Sequence, residues 1–483
     1  MHLEKVVRVL KAFDEQQLNR LEDFLDSPYF KITPGASLLF KRLKPLYPKF
    51  QETKMDPKVL GQKDKRLSTS MKQSALGSHL LKAIEQFLAV EQWQKNEDEK
   101  TRLTITGWQE LELLGEYEKA LEKQMARIEG DKEWTTDLFW ERYKLTELSK
   151  NGFYAKINRG GSLDITPLLD TLDQFHAITK LRYLCEALFR AQQFGTPFPY
   201  TQDERKEIIK TLESFTNYSH PYVYVFVNAF RMIEEESFSE GDIYYNALKQ
   251  FIQRETTVSA DIIKVVDYAI NHCVQWYSKG YVEAGKEYIW WIDWKARHNL
   301  LLQNGMITPI TFRNILRIAA STKIDPQWIG NWISKYGSHL PSDHYDTNIA
   351  FGRGLHQYRL KNYVEALRYF LLAQVREEVQ FNASIRVWEW MCLFEYDKND
   401  INALSDHLSA FEKYILRNKA DLKHLGGLYD KFVNNAGRLL KSTHEEAKLQ
   451  FEELQNEEHF AARPWLLEQL ELKTQKPMRK AHG

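Results

Sequence analysis

The chain of 483 residues contains little glycine and little proline, 22 and 14 residues respectively. That scarcity disfavours β-sandwiches and barrels, which consume both residues in their many turns. Long hydrophobic runs are missing too: no stretch reaches the about 18 apolar residues that a spanning helix requires. The opening Met1-His2-Leu3-Glu4-Lys5 sets a charge pair where a signal peptide needs its apolar core, and Asp14 and Glu15 follow. A soluble, cytoplasmic protein with no membrane partner is expected. Excess charge of either sign is absent, since 66 basic residues meet 66 acidic ones. No global field therefore selects nucleic acid or an anionic surface. Cysteine is rare, and Cys185, Cys273 and Cys392 lie far apart inside apolar helical patterns. They read as small core hydrophobes in a reducing compartment, not as disulfides or metal ligands. Motifs of chemistry are missing as well. There is no phosphate-binding Gly-x-x-x-x-Gly-Lys-Ser/Thr loop, no His-Glu-x-x-His, no Gly-x-Ser-x-Gly elbow, no Gly-x-Gly-x-x-Gly after a strand and no Cys-x-x-Cys pair. The expectation is a non-enzyme with no catalytic residue, cofactor or metal.

What the chain does have is a repeated phrase. Tyr281-Val282-Glu283-Ala284 returns unchanged as Tyr363-Val364-Glu365-Ala366, with weaker copies at Tyr244-Tyr245-Asn246-Ala247-Leu248 and Asp400-Ile401-Asn402-Ala403-Leu404. The four alanines are separated by 37, 82 and 37 residues, and a degenerate copy around Asp325-Pro326-Gln327-Trp328 divides the long interval into 44 and 38. A further copy is Gly115-Glu116-Tyr117-Glu118-Lys119-Ala120-Leu121. A period near 40 residues is the signature of stacked helical hairpins. In the best copy Tyr363, Ala366, Phe370 and Ala373 fall on one helical stripe, and Phe351, Leu355 and Tyr358 form a second one upstream. Alanine lets two helices cross closely while the aromatics fill the wedge beside it. Gly280, Asn362 and Asn399 stand where the chain must turn between antiparallel helices. Aromatics at 13% suit such packing.

Gly354, Tyr363, Ala366, Phe370 and Ala373 resemble the small, aromatic and alanine positions of the tetratricopeptide motif. The pattern departs from that motif at Arg353 and Gln357, and at Asn271 and Gln275 in the preceding copy, where apolar residues are usual. The whole chain also resembles a family of uncharacterised bacterial proteins. That resemblance is carried by Phe24-Leu25-Asp26-Ser27-Pro28-Tyr29-Phe30, Asp173-Gln174-Phe175-His176 with Lys180-Leu181-Arg182, Ile307 to Ile315, and Phe411 to Lys419. It implies no catalytic residues.

The fold expected is all-α: an α-solenoid of stacked, divergent tetratricopeptide-like hairpins with a small helical N-terminal module. Residues 1–95 form that module, with Asp14 as N-cap, a stripe of Leu18, Leu21, Phe24 and Leu25, and a later helix presenting Leu76, Leu80, Leu81, Ile84, Phe87 and Leu88. Gln94 to Arg102, charged and poor in apolar residues, reads as an exposed boundary. Residues 96–220 are a helical connecting region broken at Asn158 to Ser162. Residues 221–440 carry the repeats, and Tyr222 to Val227 is read as a buried helix in spite of its β-branched residues. Residues 441–472 are C-terminal helices with a stripe of Trp465, Leu466, Leu467 and Leu470, and 473–483 a disordered tail.

Candidate sites are few. Asp343-His344-x-Asp346 reads as a solvated helix cap rather than a metal site, because its spacing does not aim ligands from one helix face. His272-Cys273 reads as core, and Glu234 to Glu236 with Glu240 and Asp242 as a wet acidic loop. The partner expected is a protein or peptide, held by a helical-repeat surface. Asn271, Gln275, Arg353 and Gln357 offer recurring polar contacts, and Trp290 and Trp294 offer aromatic anchors beside Trp291 and Tyr288. A regulator binding DNA through Lys54, Lys58, Lys63, Lys65, Arg66 and Lys72 is the alternative, weakened by the interleaved Glu52, Asp56 and Asp64. An enzyme with a dispersed site is a second alternative.

Overall fold

Helix boundaries follow the caps that the sequence supplies. Asp14 accepts from the Gln17 amide while Gln17 reaches back to the Asp14 amide, a reciprocal box that starts the second helix. The computed structural model describes residues 2–51, 53, 56, 59, 67–131, 135–157, 164–214, 221–235, 238–255, 258–322, 324–375, 378–423, 425–457 and 460–475. Among these the regular elements are all helices; no strand is present, and Gln303 and Met306 form an isolated antiparallel bridge.

The chain divides into two compact units. One comprises Met1–Asp131 and Trp140–Thr171, the other Lys132–Phe139 and Leu172–Gly483. The first contains α1 (His2–Lys11), α2 (Glu15–Asp26), α3 (Pro34–Leu43), α4 (Ser70–Lys95), α5 (Glu97–Glu110) and α6 (Leu114–Glu129), whereas α7 (Thr136–Ile157) and α8 (Thr166–Phe194) carry residues of both units. Its N-terminal helices enclose a core that includes Val6, Leu10, Leu21, Phe40 and Ile84. The α2 stripe is buried as the periodicity predicts. On α4, Leu80, Ile84 and Phe87 are buried, but Leu88 is 37% exposed, because it sits a further 100° around the helix than Phe87. Arg20 grips Glu91 through two nitrogens at 3.1 and 2.8 Å, tying α2 to α4. Residue 95 is not where the units part. Asn96 alone separates α4 from α5, and its side chain caps α5 through the Glu99 amide. Of the basic residues of the DNA-binding alternative, Lys72 is exposed on α4, while Lys54, Lys58, Lys63, Lys65 and Arg66 lie outside the described residues, as does the break at Asn158 to Ser162.

The second unit continues with α9 (Gln202–Ser214), α10 (Pro221–Glu234), α11 (Phe238–Arg254), α12 (Ala260–Ser278), α13 (Val282–Arg297), α14 (Pro309–Ser321), α15 (Pro326–Tyr336), α16 (Tyr345–Arg359), α17 (Tyr363–Ala373), α18 (Val379–Tyr396), α19 (Ile401–Arg417), α20 (Lys419–Leu422), α21 (Leu425–Lys441), α22 (His444–Gln455) and α23 (Arg463–Gln475). Neighbours in sequence pack together, as in α10 on α11, α12 on α13 and α16 on α17, and α10 also meets α12 while α14 meets α16. Tyr222 to Val227 is helical, with Tyr224 the exposed member.

In both unchanged copies the alanine is buried: Ala284 is 3% exposed and Ala366 0%. Phe370 and Ala373 are buried with it, and a Cβ on Gly354 would lie 2.6 Å from the Phe370 ring. α16 and α17 thus need the missing side chain to meet. The weaker copies differ by one residue. Leu248 and Leu404 are buried, whereas Ala247 is half-buried and Ala403 exposed. In the degenerate copy Asp325 and Pro326 do start α15, but Ile329 takes the core position, and half-buried Trp328 stacks on Trp332 at 5.1 Å and donates to the Asp293 carboxylate. Gly280 turns the chain with φ +103°, as expected. At the corresponding turn Lys361 takes the left-handed conformation, φ +64°, and Asn362 instead stands just before α17 at φ −89° with no side-chain bond to the helix. Lys473, expected in a disordered tail, is in the last turn of α23 and donates to Leu439 O at 2.8 Å; residues 476–483 lie outside the described ones.

Candidate functional site

The alternate helices α12, α14, α16 and α18 border a cavity of about 730 Å³, and α23 with the residues just before it supplies another wall. Each helix delivers its residues through a defined turn. α12 stops at Gly280, so Tyr277 and Ser278 stand at its end. α14 begins at Thr308, whose hydroxyl accepts from the Thr311 amide, and presents Arg317 and Ser321. α16 brings Tyr358 and Arg359, and the turn at Lys361 brings Tyr363. α18 contributes Trp388 and Glu395.

Aromatic rings dominate the walls. Tyr358 meets Trp388 edge to face at 5.2 Å and Tyr363 at 5.8 Å. Burial pushes the Tyr358 hydroxyl well above its ordinary range, and it raises Tyr277, Tyr363 and Tyr429 too. These hydroxyls therefore stay protonated and available as donors. On the opposite wall Trp465 packs edge-on against Trp390 at 5.7 Å and Phe394 at 5.2 Å. Its Nε1 donates to Glu395 Oε1 at 3.1 Å, and Gln469 Nε2 donates to the same oxygen at 2.8 Å. Arg463 holds the start of α23 in place. Its guanidinium donates to the carbonyls of Leu454, Gln455 and Lys279 at 2.9, 2.9 and 2.6 Å. Such a cavity can hold apolar bodies and hydrogen-bond acceptors. Among the described residues no group of three or more His, Cys, Asp or Glu is placed to hold a metal ion. The cysteines are buried, and burial raises the Cys273 thiol to about 12, far from a usable nucleophile.

None of the six residues singled out from the sequence lines this cavity. Asn271 is half-buried on α12, and Gln275 Nε2 faces Gln192 Oε1 of α8 at 3.4 Å. Arg353 is exposed, its guanidinium 5.9 Å from the Tyr369 ring, and Gln357 accepts from Asn362 Nδ2 at 2.9 Å. Trp294 is 4% exposed and stacks near His298, so it packs rather than anchors a partner. Trp290 is half-buried under the Lys249 ammonium, 4.5 Å from the ring. Trp291 is wholly buried and donates to Tyr245 OH at 2.9 Å. The sequence reading missed Arg317, Arg359 and Trp388. Taken one at a time they look like ordinary helix residues, and the signal that joins them is the alternation of helices.

The remaining candidates are structural. His272 accepts from Trp276 Nε1 at 3.3 Å, and Cys273 lies 3.6 Å from Tyr245 OH. Asp343 to Asp346 does not cap by side chain; the His344 carbonyl takes the Asn348 amide at 2.6 Å, and its ring lies 3.6 Å from Glu378. Glu234 of the acidic run pairs with Arg205 at 3.5 Å and Arg231 at 3.7 Å. Among the described residues no helix is long and apolar enough to cross a membrane. Comparison with protein-family models, with curated proteins and with solved structures finds no match to this chain.

Proposed function

We propose that the second unit is a divergent helical-repeat scaffold that binds a segment of protein in the cavity bordered by its alternate helices. On this reading five hairpins, α10/α11 to α18/α19, stack side by side, with α12, α14, α16 and α18 turned toward the cavity. The recurrence of a buried residue at 248, 284, 329, 366 and 404 supports this arrangement. The observation that carries the binding reading is the cavity itself: about 730 Å³ with Tyr358, Tyr363 and Trp388 beside polar groups. Concave repeat surfaces bind extended segments in this way, with aromatic anchors supplying affinity and polar groups fixing register. Its size matches the common range of ligand pockets and admits a few side chains of a partner.

A photoreactive amino acid placed at Ser384, which lines the cavity, tests the proposal against one at Ser334, exposed on α15. Mass spectrometry of the adducts should give one defined partner peptide from the first position alone. Equal labelling from both positions, or no adduct from Ser384, overturns the reading.

A further inference from the structure

We infer that this cavity is a carboxylate site, taking an organic anion carried on an apolar body. The inference rests on the cavity being a binding site and adds the chemistry of what enters it. Its basis is a pair of arginines on adjoining helices whose donors are not all used. Arg317 of α14 is exposed into the cavity, and its guanidinium makes no ion pair or hydrogen bond with any described residue. Arg359 of the adjoining α16 spends Nη2 on the Ile324 carbonyl at 3.1 Å, while its Nε is buried with no partner among the described residues. A buried donor without an acceptor is costly, and a ligand oxygen would relieve it. Lys361 follows, exposed and outside any ion pair of the described residues.

Four carboxylates line the walls beside four cations, and the carboxylates have partners of their own. Glu283 pairs with Lys286 at 2.8 Å, and Glu395 already accepts from Trp465 and Gln469, with Lys398 3.8 Å away. Glu468 and Glu471 of α23 line the cavity as well, both exposed, and Glu471 accepts from Gln475 Nε2 at 3.1 Å. The formal charges on the walls therefore balance, and what remains uncommitted is a set of donors, the Arg317 guanidinium and Arg359 Nε, to which the tyrosine hydroxyls add. The planar fork of arginine matches a carboxylate with two parallel hydrogen bonds. Tyr358 and Trp388 present rings against which the rest of the ligand packs.

Calorimetric titration of the full chain tests this with two matched pairs of probes. One pair is 3-phenylpropionate and its primary amide; the other is a blocked Glu-Leu-Trp-Glu peptide and its Gln-Leu-Trp-Gln counterpart. In at least one pair the acid should bind tenfold or more tightly than the neutral form, a difference that Arg317→Ala and Arg359→Ala each reduce. Arg359→Lys, which keeps the charge and loses the fork, should restore only part of it. Tighter binding of the peptide identifies an acidic segment as the source. Binding of the small acid alone keeps the anion site and removes the protein-segment reading. The inference falls if acid and amide bind alike, or if neither acid binds below about 1 mM. It falls too if folded Arg317→Ala, the exposed position, keeps the full preference.

Discussion

Arg463 Nη1 donates to the carbonyl oxygen of Lys279 at 2.6 Å, joining residues 184 apart in the chain. The contact is tight on both sides. Arg463 is 4% exposed, and a Cβ on Gly280 would come within 2.2 Å of the same nitrogen. Gly280→Ala should therefore destabilise the protein twice over. The left-handed backbone at φ +103° costs about 1–2 kcal/mol for an L-residue, and the guanidinium must also move. Arg463→Ala leaves three carbonyls without their donor and should cost about 2–4 kcal/mol. Thermal melting of both variants checks this, with the second falling further.

The register of the repeats gives a paired test. Ala366→Leu inserts three carbons at a position with no exposure and should cost about 1–3 kcal/mol through overpacking. Ala403→Leu, at the equivalent place by sequence, should change stability by less than about 0.5 kcal/mol because that alanine faces solvent. Similar midpoints for the two variants would mean that the register is wrong.

Arg313 is the hub of a polar cluster in the same unit. Its Nε donates to Asn348 Oδ1 at 2.6 Å, its Nη2 to Glu378 Oε1 at 3.1 Å, and its guanidinium carbon sits 3.8 Å from the Phe381 ring centre. Arg313→Ala should cost about 2–4 kcal/mol, since it strands a partly buried carboxylate. Arg313→Lys should recover less than half, because one ammonium cannot serve both partners and the ring. Urea unfolding of the two variants measures the gap.

His272 makes stability depend on pH. Burial lowers its pKa from 6.5 to about 4, with Lys279 adding to the shift. Above pH about 6.5 the imidazole is neutral in folded and unfolded chains alike, so it contributes no dependence. As pH falls from there toward 4 the unfolded chain takes up a proton that the folded chain refuses, and up to roughly 3 kcal/mol of stability is lost. His272→Gln should lose less stability than the parent between pH 7 and 4.5. A parallel fall in the urea midpoint of both proteins would rule out this role.

The helical class and its buried alanines were legible where the chain copies itself without change, because Tyr-Val-Glu-Ala admits one buried face. They were ambiguous at Asn-Ala-Leu, where a small residue and a large one stand side by side. There the packing of the opposite helix decides, and in both instances it selects leucine, at 248 and 404. The turn after α16 was misassigned for a related reason. Asn362 is the better residue for a left-handed backbone, yet Lys361 occupies it, and Asn362 stands one place later with its side chain bonded back to Gln357 Oε1 at 2.9 Å. The cavity was not legible at all. Its walls come from helices spread over nearly 200 residues, and no local pattern announces that α23 folds back against α12. The tryptophan-rich helix misled in the opposite way, for Trp291 and Trp294 satisfy the core and leave only Trp290 with any surface.

The clasp between Arg463 and Lys279 also bears on how the second unit comes apart. A row of helices that touch only their neighbours loses order from its ends, one hairpin at a time, and melts over a broad range. Here the start of α23 is fastened to the residue that ends α12, so separating the last helices from the unit also breaks a contact with α12. The expected consequence is that the stretch from α12 to α23 melts in one cooperative transition rather than from its end.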